Sequence, residues 1–348
     1  MKRVGILGLP QSGKTTVFEI LTRGAGGPAA GREQVGVVRV PDPRLDRLSA
    51  LYSPKKTTYA QIQFVDSAAA GQASARTAAK GTDLFSSVRL CDALVAVVRD
   101  FDNPAVPVER GVDPERDVRT LEAELLLNDL AIVEGRLERI EKELRVGKKQ
   151  GEHEHGVLRG CRERLEAEQP LRAVEVDAEE DRLLRGFQLL TRKPLLVVYN
   201  QDERSSRTPP RPGPNTLAVA LRAHLEREIV ALPEEERDAY RSELGVTEDG
   251  LSLVIRACYE LLGLVSFFTV GPDEVRAWTL RRGGRAVDAA GEIHTDLAKG
   301  FIRAEVIGWK ELLEAGGTPA ARAKGILRLE GRDYVVSDGD CLEIRFSK

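Results

Sequence analysis

The chain has 348 residues, of which 42% are apolar and 31% charged, with a net charge of −3. That length suggests two or three domains with real cores, and the near-balanced charge excludes a globally basic nucleic-acid binder. Aromatic residues at 5% argue against a surface of stacked bases. The four distant cysteines (Cys91, Cys161, Cys258, Cys341) form neither a metal spacing nor a disulfide framework, which favours a reducing compartment. No apolar run is long enough to span a bilayer, and the first strand begins directly after the start Met, leaving no room for a signal peptide. The expected location is the cytoplasm, without membrane association.

The segment "RVGILGL" alternates and is β-rich, and "TTVFEILTR" has helical spacing with Val17, Ile20 and Leu21 on one face. Between them lies Gly8-x4-Gly13-Lys14-Thr15, the pattern of a phosphate loop. Glycines let successive backbone N–H groups curl around a phosphate, and the following helix aims its positive end at the anion. The loop residues Leu9, Pro10, Gln11, Ser12, Gly13, Lys14, Thr15 and Thr16 are the candidate phosphate contacts. Lys14 would neutralise the β- and γ-phosphates and the Thr15 hydroxyl would ligate Mg²⁺. Such a site needs a second magnesium-side carboxylate at the end of another strand. "AQIQFVDSAAAG" supplies it in Asp66.

"DALVAVVRDF" (92–101) reads as a buried parallel strand. Over 113–146 the apolar residues Val118, Leu121, Leu125, Leu130, Val133, Leu137, Ile140 and Leu144 step mostly by three and four, predicting one long helix begun at Pro114. "GKKQGEHEHG" breaks it, with His153 and His155 as exposed tip residues and not metal ligands. "VLRGCRERLEAEQPLRA" reads as a shorter returning helix, giving an antiparallel helical hairpin inserted into the nucleotide domain.

"KPLLVVYNQDE" is a further strand, ending in Asn200 at the carboxyl edge where ligands bind in such sheets. Guanine-reading GTPases generally carry Asn-Lys-x-Asp there, the Asp accepting from guanine N1–H and the 2-amino group. This chain has Asn200-Gln201-Asp202-Glu203, without the Lys and with Glu in fourth place. Adenine asks instead for an acceptor near its 6-amino group, which Asn200 offers; Asp202 nonetheless stands only one residue from the guanine-reading place. A Pro-rich loop, the strand "TLAVAL" and the helical "RAHLEREIVALPEEERDAYRSELG" and "GLSLVIRACYELLGL" follow. From Val265 onward short strands and glycine turns indicate a small α+β unit, where Arg276, Lys299 and Arg303 offer a basic face for RNA or are ordinary surface charges.

Taken together, these motifs resemble the YchF / Obg-like ATPase family of translation-factor P-loop NTPases. The resemblance is carried by "GLPQSGKTT", "GVVRVPDPRLDRL", the Asn-x-x-Glu of Asn200 and Glu203, "FFTVGPDEVRAWTL", "AAGEIHTDLAKGFIRAEVI" and "LEGRDYVVSDGD". It implies an α/β fold: a Ras-like P-loop nucleotide domain (1–112 and 185–264), an inserted antiparallel helical hairpin (113–184) and a C-terminal TGS-type β-grasp domain (265–348). The family's Asn-x-x-Glu goes with a preference for ATP over GTP, and Ala223 falls on its base-supporting stretch, with Arg222 replacing the small residue before it.

The chain also departs from the family. Gln11 replaces an Asn that helps seat a monovalent cation in related NTPases, which leaves potassium activation in question. No Thr lies between Arg23 and Val38 to close over Mg²⁺. The second switch reads Asp66-Ser67-Ala68-Ala69-Ala70, so the backbone of Ala69 stands where a glycine N–H would meet the γ-phosphate, and Ala70 provides no side chain to orient water. The implied activity is slow Mg²⁺-dependent hydrolysis of ATP to ADP, with nucleotide state controlling binding to the ribosome, RNA or another partner through the C-terminal and helical domains. No reading of DNA sequence is expected. The alternatives are a nucleotide-sensing binding module with little or no turnover, and a GTPase, which Glu203 disfavours.

Overall fold

The structure is a computed structural model describing residues 1–22, 34–66, 85–103, 105, 111–145, 151–203, 205, 207–210, 212–246 and 249–347. The Thr-free stretch 23–33 and the second-switch residues Ser67, Ala68, Ala69 and Ala70 lie outside the described residues. The chain divides into two compact units: Met1–Val38 with Gln63–Leu261, and Arg39–Ile62 with Leu262–Lys348.

In the first unit, β1 (Lys2–Gly8) leads through a tight loop into α1 (Lys14–Leu21), which buries Val17, Phe18, Ile20 and Leu21. β2 (Gln34–Arg39) follows. The chain then passes through α2 (Pro43–Tyr52) and β3 (Lys56–Thr58) and returns as β4 (Gln61–Asp66). The short α3 (Ser86–Arg89) precedes β5 (Ala93–Asp100); β6 (Leu195–Gln201) and β7 (Thr216–Leu221) complete a six-stranded sheet of order β2-β4-β1-β5-β6-β7. β5 runs parallel to both β1 and β6, and β6 parallel to β7. A parallel strand covered on both faces loses the polar alternation of a half-exposed one, and β5 is buried continuously from Ala93 to Arg99. Four carboxyl strand ends therefore open on the same edge of the sheet.

Between β5 and β6 the chain makes α4 (Pro114–Arg145), α5 (Glu152–Glu166) and α6 (Ala178–Arg185). α4 serves two cores. Leu121 and Leu125 pack with the sheet residues Leu94, Ala96 and Val197, whereas Leu126, Val133, Leu137 and Ile140 pack against Leu158, Cys161 and Leu165 of α5. Asp129 sits between these two stretches, fully buried. Its carboxylate accepts from the Leu190 N–H (2.8 Å), the Thr191 N–H (2.7 Å) and the Thr191 hydroxyl (2.7 Å), which fixes the long helix to the chain entering β6. Burial pushes its carboxyl up and these donors oppose the shift. The returning helix starts earlier than the sequence spacing predicts: His153 and His155 lie in the first turn of α5, His153 exposed and His155 near Glu141 at 3.6 Å. The stretch after β7 that the sequence reads as helical forms two helices, α7 (Ala223–Ala231) and α8 (Glu234–Glu243), because Pro233 lacks the N–H that a continuous helix would use. α9 (Gly250–Leu261) closes the unit.

The second unit is built on a sheet of order β11-β10-β12-β8-β9-β3, from β8 (Leu264–Thr269), β9 (Glu274–Arg281), β10 (Phe301–Gly308), β11 (Arg328–Glu330), β12 (Asp340–Phe346) and β3. Helix α10 (Ala286–Ile293) lays Ala286, Ala289 and Ala290 into a core with Phe267, Leu280, Ala304 and Val306, its small side chains permitting close approach to the sheet. The sequence reading left 39–62 in the nucleotide domain; the structure places it here. β3 pairs in parallel with β9, Arg44 bridges Asp42 (2.8 Å) and Asp338 (2.7 Å) and stacks over Phe268, and the Tyr52 hydroxyl meets Thr318 at 2.6 Å. Arg276 on β9 and Arg303 on β10 are separated by β12 and β8, roughly 14 Å at ordinary strand spacing, and the Arg276 guanidinium lies 3.8 Å over the Trp278 ring. All four cysteines are buried and free, and among the described residues no helix is long and apolar enough to cross a membrane.

The hairpin carries a pH-sensitive brace. Arg136 donates to both oxygens of Glu154, at 2.7 and 2.8 Å, and these bonds hold the carboxyl below its ordinary value. A depressed folded value stabilises above the ordinary carboxylate range, and the contribution is lost as pH falls through the depressed value. Glu154→Gln is expected to lower the urea midpoint followed by circular dichroism at neutral pH, with the gap to wild type closing in acid.

Candidate nucleotide-binding site

The loop between β1 and α1 is shaped by backbone conformations that few residues adopt. Gln11 has φ 66° and Gly13 φ 88°. The Ser12 N–H donates to the Leu9 carbonyl at 3.2 Å, which closes the turn. A Cβ on Gly13 would stand 2.2 Å from Asn200 Nδ2, and one on Gly8 would stand 2.5 Å from Ser12 Oγ. Glycine is therefore demanded at Gly13 both by its positive φ and by the side chain against it.

Of the predicted loop residues, Leu9 packs partly against the sheet core, Pro10, Gln11 and Thr15 are exposed, and Thr16 is half-buried. Ser12 and Lys14 are buried. The Lys14 ammonium donates to Asp66 Oδ1 at the end of β4, joining the two charged groups predicted for the phosphate and the metal side. Ser12 Oγ is buried without a hydrogen-bond partner. An unmet buried hydroxyl carries a desolvation cost that a bound acceptor would relieve. A phosphate group with Mg²⁺ fits this donor set: backbone N–H groups, a hydroxyl, an ammonium and a carboxylate.

Asn200 ends β6 and is itself buried. Its Nδ2 donates to the Ser12 carbonyl at 3.0 Å, and its Oδ1 accepts from the Ala223 N–H at 3.2 Å. The sequence reading offered this oxygen to the 6-amino group of adenine; the structure engages it with the start of α7. Gln201, standing where guanine readers carry Lys, is likewise buried, its Nε2 donating to Asp100 Oδ2 (3.0 Å) and the Arg207 carbonyl (2.8 Å).

Beside Asn200 opens a cavity of about 470 Å³, within the range of small-molecule sites. It brings together the predicted Gly13, Thr16, Asn200, Glu203 and Ala223. Five further lining residues were not foreseen: Phe101, Asp102, Asn103, His224 and Arg227. Phe101 follows the carboxyl end of β5, the edge at which ligands bind, and that position was its available signal. Arg99 fixes it, the guanidinium 4.8 Å over the ring and Nε donating to the Phe101 carbonyl at 3.1 Å. His224 and Arg227 stand three apart at the start of α7 and so share a face.

A Bacillus subtilis protein named "Ribosome-binding ATPase YchF" is 38% identical to this chain over 361 residues, covering 99% of this chain and 98% of the relative. The chain belongs to the YchF family. An Escherichia coli O157:H7 relative of the same name is 37% identical over 360 residues and 99% of both chains. The fold agrees: a solved structure titled "Structure of the Schizosaccharomyces pombe YchF GTPase" matches with a TM-score of 0.82 at 30% identity, over 99% of this chain and 97% of that one. The family model YchF-GTPase_C, described as "Protein of unknown function (DUF933)", matches residues 264–347, all within the second unit. The printed names differ on the nucleotide, ATPase for the sequence relatives and GTPase for the solved YchF structure.

The geometry at Gly13 gives a direct test. Gly13→Ala forces a Cβ against Asn200 in a left-handed conformation, and it is expected to weaken triphosphate binding at least tenfold by calorimetry while thermal unfolding shows the chain still folded.

Proposed function

We propose that this YchF-family protein is a slow Mg²⁺-dependent ATPase of the cytoplasm whose nucleotide state governs binding to the ribosome. The observation that carries the reading is the continuity of the site: the Asn200 amide joins the phosphate loop to the wall of a base-sized cavity lined by Glu203 and Ala223. The names of the B. subtilis and E. coli relatives agree with ATP and with the ribosome.

In this reading the loop N–H groups and Lys14 hold the phosphates, with Thr15 and Asp66 on the metal side. Bound Mg²⁺ would supply charge neutralisation at the phosphates. Lys14 and Asp66 are buried, so their charges act through a medium that screens less than water. Phe101 and Thr16 line the same cavity as Asn200. Ala70 brings no side chain to orient an attacking water, which is the reason for a low rate; positioning remains the main contribution of the chain. The family resemblance would give the γ-phosphate the N–H of Ala69, where the family has a glycine. The missing Thr between Arg23 and Val38 favours a second reading, a nucleotide-gated binding module that holds ATP without cleaving it. A GTPase is disfavoured by Glu203 and by the absence of Lys at Gln201.

Single-turnover incubation with radiolabelled ATP separates the first two. Release of phosphate on a scale of minutes to hours supports the ATPase, and intact ATP on the protein supports the binding module. Lys14→Ala is expected to abolish tight nucleotide binding. Unchanged affinity in that variant contradicts the phosphate-loop assignment.

A further inference from the structure

We propose that Gln201 and Arg222 are positioning residues that tie the walls of the cavity together before a base arrives, an inference that rests on the cavity being the base site. The walls come from three separate stretches of chain: Phe101 and Asp102 after β5, Asp202 and Glu203 after β6, and Ala223 and His224 at the start of α7. The stretch between β6 and β7 is poorly equipped to hold its own shape. Pro209, Pro210, Pro212 and Pro214 have no N–H to donate, which limits the backbone bonds it can form. Side chains from its two ends supply the attachment instead.

Gln201 makes the first tie. It ends β6 opposite Asp100 of β5, and it is buried. Its Nε2 donates to Asp100 Oδ2 at 3.0 Å and to the Arg207 carbonyl at 2.8 Å. Both amide N–H groups are thereby used, and the reversed amide would set Oε1 against a carboxylate and a carbonyl, so the hydrogen-bond network dictates the orientation. Asp100 immediately precedes Phe101, and Arg207 lies in the same stretch as Asp202 and Glu203. Arg207 also returns to Asp100, Nη1 standing 3.4 Å from Oδ1, and its Nη2 donates to Glu115 at the start of α4. Arg222 makes the second tie. It stands half-buried just before α7, and its Nη2 donates to the Ser205 carbonyl at 3.0 Å. Ala223, the next residue, is already held by Asn200. Gln201 has no N–H left to give a base, and Arg222 does not line the cavity. What both supply is geometry. A wall ordered before the base arrives removes an ordering cost that would otherwise be subtracted from binding.

The test is equilibrium binding of ATP and of inorganic tripolyphosphate, each with Mg²⁺, to wild type, Gln201→Met, Arg222→Ala and Arg222→Lys, with thermal unfolding of each followed by circular dichroism. Gln201→Met keeps the length of the side chain and removes both donors. Arg222→Ala removes one bond at a half-buried position. Each is expected to weaken ATP by about 3- to 10-fold, the span of one hydrogen bond. Each should leave tripolyphosphate, which carries no base, unchanged. Arg222→Lys keeps a cationic donor within reach of Ser205 and should bind ATP more tightly than Arg222→Ala. Unchanged ATP affinity in Arg222→Ala or in a folded Gln201→Met overturns the inference. So does an equal loss of ATP and tripolyphosphate, or Arg222→Lys binding ATP no better than Arg222→Ala. Should Gln201→Met lose its thermal transition, the Arg222 variants decide alone. Wild type binding tripolyphosphate as tightly as ATP overturns instead the underlying reading of the cavity as the base site.

Discussion

The Asn200 amide holds three separate pieces of chain in register: the phosphate loop through the Ser12 carbonyl, the end of β6 on which it stands, and the start of α7 through the Ala223 N–H. Each bond stabilises by about 1 kcal/mol, and the larger effect is geometric, because a buried amide deprived of its partners costs more than the bonds themselves. The glycine at Gly13 follows from it, since the space a Cβ would take is filled by Asn200 Nδ2. A movement of the loop at one end of the site is thus a movement of the cavity wall at the other. The Lys14–Asp66 pair adds the matching constraint on the opposite side, tying the loop to the end of β4.

That strand end has a further connection. β2 and β4 pair in one sheet, yet Arg39–Ile62, from the last residue of β2 to the second of β4, belongs to the second unit. There it is held by strand pairing to β9, by the Asp42–Arg44–Asp338 bridge and by Tyr52 on Thr318. The covalent path from Asp66 back along β4 therefore enters the second unit within a few residues. The backbone from Asp66, the carboxylate proposed for the metal side, thus leads into the unit that carries the YchF-family C-terminal region.

Much of this was legible in the sequence where the signal is local. The phosphate loop, the apolar run of β5 and the long helix each announce themselves within one contiguous stretch of sequence, and each lies where the spacing predicts. The membership of 39–62 was not legible, because β3 is three residues long and pairs with a strand more than two hundred positions away. The heptad-like seam of α4 overlooked Asp129, since a buried carboxylate breaks apolar periodicity and is explained only by the Leu190 and Thr191 groups it serves. At the site, the spacing of Asn200 and Glu203 pointed to two residues that line one cavity, proposed here for the base, but the commitment of both ends of the Asn200 amide appears only in three dimensions. Phe101 and His224 carried weaker signals, a position after a strand and a position after a predicted contact.

The most direct test of the account is a crystal structure of the protein with Mg²⁺ and a non-hydrolysable ATP analogue. The account predicts the phosphates against the loop from Gly8 to Thr15, the metal beside Thr15 and Asp66, and the adenine in the cavity beside Asn200, Glu203 and His224. An adenine bound elsewhere, with that cavity empty, would contradict it.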